Sequence, residues 1–208
     1  MRKHWWLPLT VLVLGTAALW PLREQLTPAG IAALSPRQSG LTVIFLWALY
    51  ALKGLSVAFP LAALEAAGGL LFPFPAALAV NLGGVLLAQG APYLLGRRQR
   101  SELTNLADRW PWLVSVDLTQ HPGRSVFLLR LAGAAPGDLV SLYLGAAGVS
   151  WGAYLAGGLL GSFPRVAAST LLGAALLEAG SPRFFLSLLP GAALTLLSFL
   201  LWRRWRHA

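Results

Sequence analysis

The chain is predicted to fold as an all-α polytopic membrane protein, with two re-entrant helical hairpins from an inverted repeat packed among about four to five transmembrane helices. Three observations predict this. The chain is 57% hydrophobic and only 11% charged, outside the balance of a soluble domain. Its apolar runs are broken by proline and glycine where they also carry charges, as in Phe127 to Gly148. A shift of about 76 residues also superimposes two such runs, placing Pro60 on Pro136, Gly69 on Gly145, Ala77 on Ala153 and, with one further residue, Gly96 on Gly173.

From the N-terminus, Trp5 to Leu22 is apolar behind Arg2-Lys3-His4 and reads as a first span or a signal peptide. Trp5, Trp6 and Trp20 favour a span with interfacial anchors. Arg23 to Gly40, with Thr27-Pro28 and Ser35-Pro36, is a connector with room for one helical turn or two. Leu41 to Phe59 is the second apolar run and contains Lys53, whose stem can carry its ammonium to an interface or into a site.

The run PLAALEAAGGLLFPFP is apolar yet holds Glu65, Gly68-Gly69, Pro73 and Pro75. It is too short and broken for a clean crossing, so a re-entrant hairpin turning near the glycines is expected. Ala76 to Leu95 then supplies a span of about twenty residues, whose Gly83, Gly84 and Gly90 permit close helix contacts and whose Asn81 can hydrogen-bond across an interface. Residues 97–124 carry Arg97, Arg98, Arg100, Arg109 and Arg124 beside Leu103, Leu106, Trp110 and Trp112. They read as a cytoplasmic amphipathic segment on the membrane surface.

In the second copy, Arg130 and Asp138 flank the Pro136-Gly137 break. A charge at the bilayer centre costs about 2.5 to 3.5 kcal/mol on insertion scales, so such residues mark a protein interior, an ion pair or a substrate path. Ser150 to Leu177 follows, with an interruption expected at Gly161-Ser162-Phe163-Pro164-Arg165, and Arg165 reads equally as a buried or a snorkelling charge. Phe184 to Trp202 is the last span, before the basic tail Arg203-Arg204-Trp205-Arg206. The positive-inside rule places that tail and the arginine-rich loop in the cytoplasm. It conflicts with Arg2 and Lys3 unless an early segment does not cross.

The net charge of +9 does not indicate nucleic acid, because the arginines sit between apolar runs and at the ends. Cysteine is absent, which removes disulfides, thiolate metal sites and cysteine nucleophiles. The histidines, His4, His121 and His207, lie in termini or the polar loop, and there is no HExxH pair or Walker glycine loop. Asp108, Asp117 and Asp138 lack the spacing of a Mg2+-binding carboxylate pair. No enzyme activity, cofactor or metal is therefore expected. Nothing in the residues marks the filter ring of a channel.

The run FLLRLAGAAPGDLVSLYLGAAGVSWGAYLAGGLLGSFPRVAASTLLGAAL resembles the core of the VTT-domain proteins, the DedA superfamily, also labelled SNARE-associated Golgi proteins. Arg130 stands at the arginine of that family's R-x-x-P-x-x-P type motif, Pro136 at its second proline, Gly145 at the glycine that follows, and Gly161 with Pro164 at its G-x-x-P break. Upstream, Gly68-Gly69 match a glycine turn, and Tyr93 with Gly96-Arg97 match a Y-x-x-G-R ending. The resemblance covers 59–175 within a single membrane domain of 1–208. It departs from the pattern at Gly133 or Ala134, at Phe72-Pro73, and at Glu65, which only approximates the family's acidic position.

The resemblance implies two oppositely oriented re-entrant hairpins and a transporter or scramblase moving a phosphate-bearing lipid, phospholipid or undecaprenyl phosphate, between leaflets. Membrane lipids are the implied partners, protons or Na+ the implied coupling ions, and a homo-oligomer the assembly considered. The alternative is a non-transporting scaffold acting through its basic amphipathic segment. Arg130, Glu65, Asp138, Pro136, Gly68, Gly69 and Gly145 are the expected substrate-binding residues, with Lys53, Tyr93, Arg97, Pro164 and Arg165 as secondary candidates. Glu65, Arg130 and Asp138 are expected to line one cavity. Alternatively, Arg130 and Asp138 form a structural ion pair. An alanine-, leucine- and arginine-rich composition points to a bacterial cytoplasmic (inner) membrane.

Overall fold

The computed structural model describes residues 26–56, 60–98, 121–133 and 136–176, together with a few isolated positions. The described residues form seven helices and no strand. The predicted spans at 5–22 and 184–202 and nearly all of the amphipathic segment lie outside them.

The predicted connector holds one short helix, α1 (Pro28–Leu34). The Thr27 hydroxyl caps it by accepting the Gly30 amide at 3.1 Å, and Pro28 fills the first turn, where no amide is needed. Helix α2 (Ser39–Gly54) follows, shorter than the predicted run because it unwinds before Pro60. The first broken segment becomes α3 (Leu61–Leu71) and α4 (Phe74–Arg98).

The turn between α3 and α4 corrects the expected position. Gly68 and Gly69 lie inside α3, and the chain reverses at Phe72-Pro73. Pro73 has no amide to donate and its ring excludes the helical conformation for the preceding residue, so Phe72 is extended at φ −132° and ψ 152°.

The second half repeats this layout. Helix α5 (Pro122–Ala132) stops at Gly133, whose φ of +58° is a left-handed cap open to glycine at little cost. After Pro136 come α6 (Gly137–Ala146), a turn through Gly148 at φ +77°, and α7 (Trp151–Ala175), capped by the Ser150 hydroxyl. Helix α7 runs through the expected interruption. Pro164 removes one donor from the ladder without ending it, and Gly145 sits inside α6 rather than in a turn.

At 25 residues each, α4 and α7 are the two described helices long and apolar enough to cross a membrane, at about 37 Å for 1.5 Å per residue. They touch each other, and every other helix of the two halves is arranged around them. Helix α2 packs on α4 as α5 packs on α7, and the short helices are exchanged, so that α3 lies on α7 and α6 on α4.

Glycine makes that exchange sterically feasible. A β-carbon at Gly69 would strike the Thr170 carbonyl and one at Gly173 the Ala66 carbonyl. On the other side, Gly145 meets the Tyr93 carbonyl and Gly96 that of Leu142. The four glycines aligned by the internal shift are therefore contact points where backbones meet without side chains between them. Around these contacts lie two apolar cores, one containing Leu46, Tyr50, Leu64 and Val85, the other Tyr93, Val126, Leu144 and Tyr154.

Candidate functional site

Arg130 sits in the last turn of α5, immediately before the Gly133 cap, and is nine-tenths buried. Its Nη1 donates to the Gly137 carbonyl at 2.9 Å, and its Nη2 to the Ser141 hydroxyl at 2.7 Å and the Tyr154 hydroxyl at 3.2 Å. These acceptors are all neutral. Among the described residues the Nε–H is buried without a partner and no carboxylate contacts the guanidinium, so the cation is oriented but not directly paired.

The cradle is itself held from elsewhere. The Tyr154 hydroxyl donates to the Gln89 carbonyl at 2.8 Å, and the Ser141 hydroxyl donates to the Gly137 carbonyl at 2.8 Å. Tyr154 stacks on Tyr93 at 4.2 Å between ring centroids, with Trp151 tilted against Tyr93 at 4.9 Å. The Tyr93 hydroxyl in turn donates to the Val149 carbonyl at 2.6 Å and accepts from Arg97 at 3.3 Å. Tyr93 and Arg97 thus fix the end of α6 and do not touch Arg130. Ser141 and Tyr154 were not singled out in the sequence, although Ser141 lies at the shifted position of Glu65.

Glu65, in the middle of α3, is wholly buried. One nitrogen of Arg165, reaching from α7, donates to both carboxylate oxygens at 2.8 and 3.0 Å. Arg165 is therefore the partner of a buried charge while itself remaining partly exposed, with 43% of its side chain accessible. Pro164 stands beside it in the helix and leaves the Leu160 carbonyl without an amide donor.

Beneath this pair, Asn81 links three helices. Its Nδ2 donates to the Glu65 carbonyl at 2.8 Å and to the Thr170 hydroxyl at 2.9 Å, while its Oδ1 accepts from the Tyr50 hydroxyl at 3.0 Å. The interface role expected of Asn81 is met, and each of its bonds reaches a different helix.

The third charged group is Lys53 with Asp138, in direct ion-pair contact between the last turn of α2 and the first turn of α6. Each end suits its helix dipole, with the cation at a C-terminus and the anion at an N-terminus. Lys53 is thus buried rather than carried to an interface, and the alternative ion pair between Arg130 and Asp138 is not formed, because Asp138 is taken by Lys53.

Glu65, Arg130 and Asp138 make no hydrogen bond or ion pair with one another among the described residues. Asp138 and Arg165 lie within electrostatic range of Arg130, the first favouring and the second opposing its charge. Pro136 is the N-cap of α6 beside Arg130, whereas Gly68, Gly69 and Gly145 are helix-packing positions: a β-carbon at Gly68 would strike Asn81. The described residues contain no cluster of side chains suited to a metal ion.

A family model described as the VTT domain matches residues 59–175. No curated protein and no solved structure matches the chain.

Proposed function

The chain belongs to the VTT-domain family of membrane proteins, and on that footing we propose that it moves a phosphate-bearing lipid between leaflets, with Arg130 as the headgroup ligand. The observation that carries this reading is the state of Arg130: a buried guanidinium, aimed by three neutral oxygens, with Nε unpaired and no carboxylate against it. An uncompensated charge in an apolar interior is costly, and a bound anion removes that cost. Phosphate suits the guanidinium fork better than it suits a point charge.

In this reading, the pairs α3–α4 and α6–α7 are the two halves of an inverted repeat. The turns at Phe72-Pro73 and at 147–150 mark hairpins that enter the bilayer and turn back. Non-helical backbone is tolerated at that depth only where protein or a polar path covers it, and the exchanged packing of α3 and α6 supplies such cover. The cytoplasmic membrane of a bacterium, a cytoplasmic C-terminus and coupling to protons or Na+ complete the proposal. No chemical conversion is involved.

Reconstitution into liposomes with leaflet-specific quenching of a labelled phospholipid tests it. Wild-type protein is expected to equilibrate the label, Arg130→Lys to retain part of the rate, and Arg130→Gln to fall to background. Normal translocation by Arg130→Gln would remove the phosphate site, and background rates for the wild type would leave the scaffold reading in its place.

A further inference from the structure

Lys53 and Arg130 approach the same turn from opposite sides. Arg130 holds the Gly137 carbonyl at 2.9 Å, and Lys53 holds the carboxylate of Asp138, the next residue. A shift of 77 residues places Lys53 on Arg130 and Gly84 on Gly161, so the two cations are counterparts in the two halves.

Among the described residues, the turn between them offers donors without acceptors. Pro136 has no amide hydrogen, the amides of Leu139 and Val140 both donate to its carbonyl at 3.0 and 3.2 Å, and those of Gly137 and Asp138 have no acceptor among the described residues. Such a helix N-terminus attracts anions by its free amides and its dipole. The buried Arg130, whose Nε has no partner among the described residues, reaches this turn through the 2.9 Å bond from its Nη1 to the Gly137 carbonyl. Glycine at 137 keeps the space open, since a β-carbon there would come within 3.0 Å of Arg130 Nη1, and Pro136 and Gly137 are exposed at the approach.

We propose that the first turn of α6 is the seat of the headgroup phosphate, with Lys53 as its second cation, and that Asp138 is a resident anion which the phosphate displaces from Lys53. This rests on the translocation reading and adds a ligand and a built-in competitor to it. With the seat empty, Asp138 neutralises Lys53, and only Arg130 remains uncompensated. With the seat filled, Lys53 and Arg130 share the phosphate, and Asp138 is free to turn towards the exposed side. Exchange of an internal for an external anion keeps Lys53 paired at each stage, so that release strands no cation beyond Arg130.

Calorimetric titration of the full chain in detergent with dihexanoyl phosphatidic acid tests this. Lys53→Met is expected to weaken binding by about tenfold or more, the size of a lost charge-assisted contact. Asp138→Asn is expected to tighten it by about tenfold, because the competitor is gone. The double variant should bind as weakly as Lys53→Met. Restoration of wild-type affinity in the double variant would instead make the pair purely structural and overturn the proposal. Should Lys53→Met fail to fold, Asp138→Asn still decides, since unchanged or weakened binding contradicts a competitor.

Inorganic phosphate is expected to follow the same rank order with lower affinity throughout. Equal affinity for the two probes would overturn a lipid headgroup as the occupant. Arg130→Gln in the same titration separates the two levels. Loss of binding there with Lys53→Met unaffected sinks only the present inference, whereas binding indifferent to Arg130 sinks the reading beneath it.

Discussion

Glu65 and Arg130 are both buried charges on short helices, and they are treated in opposite ways. Glu65 faces a cation that touches both of its oxygens, and its backbone is further secured by Asn81. Arg130 faces only a carbonyl and two hydroxyls. The first arrangement joins α3 to α7 and is complete in itself. The second holds a cation in position without satisfying it, and on the proposed function the difference separates a fastening from a receptor.

The strongest way to break this comparison is Arg130→Gln. Translocation is expected to fall to background while the melting temperature in detergent holds or rises, because an uncompensated charge has been removed. A large loss of stability would instead make Arg130 a fastening too.

Arg165→Ala is expected to act in the other direction. It leaves the buried Glu65 without its cation and with only the Ser169 hydroxyl as side-chain partner, at a cost of about 3 kcal/mol, the lower end for a broken buried pair because Arg165 is partly accessible. Thermal unfolding of the purified protein reads it. The double change Glu65→Gln with Arg165→Gln should recover most of that loss, since an isosteric neutral pair avoids the desolvation of both ions.

A smaller effect is expected at Asn81→Ala, about 1 to 3 kcal/mol, which orphans the Tyr50 hydroxyl and removes the cross-helix bonds to the Glu65 main-chain carbonyl and the Thr170 hydroxyl. Smallest of the series is Tyr93→Phe, at about 1 kcal/mol for the lost bond to the Val149 carbonyl, again by thermal unfolding. It sharpens the comparison if translocation persists, because Tyr93 supports the Arg130 cradle through stacking, which phenylalanine keeps.

How much of this was legible in one chain follows from what each residue can reveal alone. Arg130 stood out because a charge in an apolar run is expensive wherever it lands, and Pro73 and Pro136 marked breaks because a missing amide acts locally. Gly68, Gly69 and Gly145 were misplaced in turns, since glycine serves a sharp bend and a close helix contact equally well, and only packing tells the two apart.

The ion pairs were not legible at all. Lys53 and Asp138 are 85 residues apart and Glu65 and Arg165 are 100 apart, and no local pattern specifies which opposite charge each will meet. Ser141 and Tyr154 escaped for a related reason. A serine and a tyrosine in apolar helices are ordinary until an arginine is seen beside them.

The exchange of short helices has a consequence for how the protein is made. Glu65 emerges from the ribosome 100 residues ahead of Arg165, and at about 5 to 20 residues per second it waits roughly 5 to 20 seconds for its partner. During that interval α3 has no α7 to lie on, and the carboxylate must stay at the membrane surface or enter neutralised. The packing of α3 can therefore be completed only after α7 has been synthesised, although α2 and α4 can pack on each other earlier.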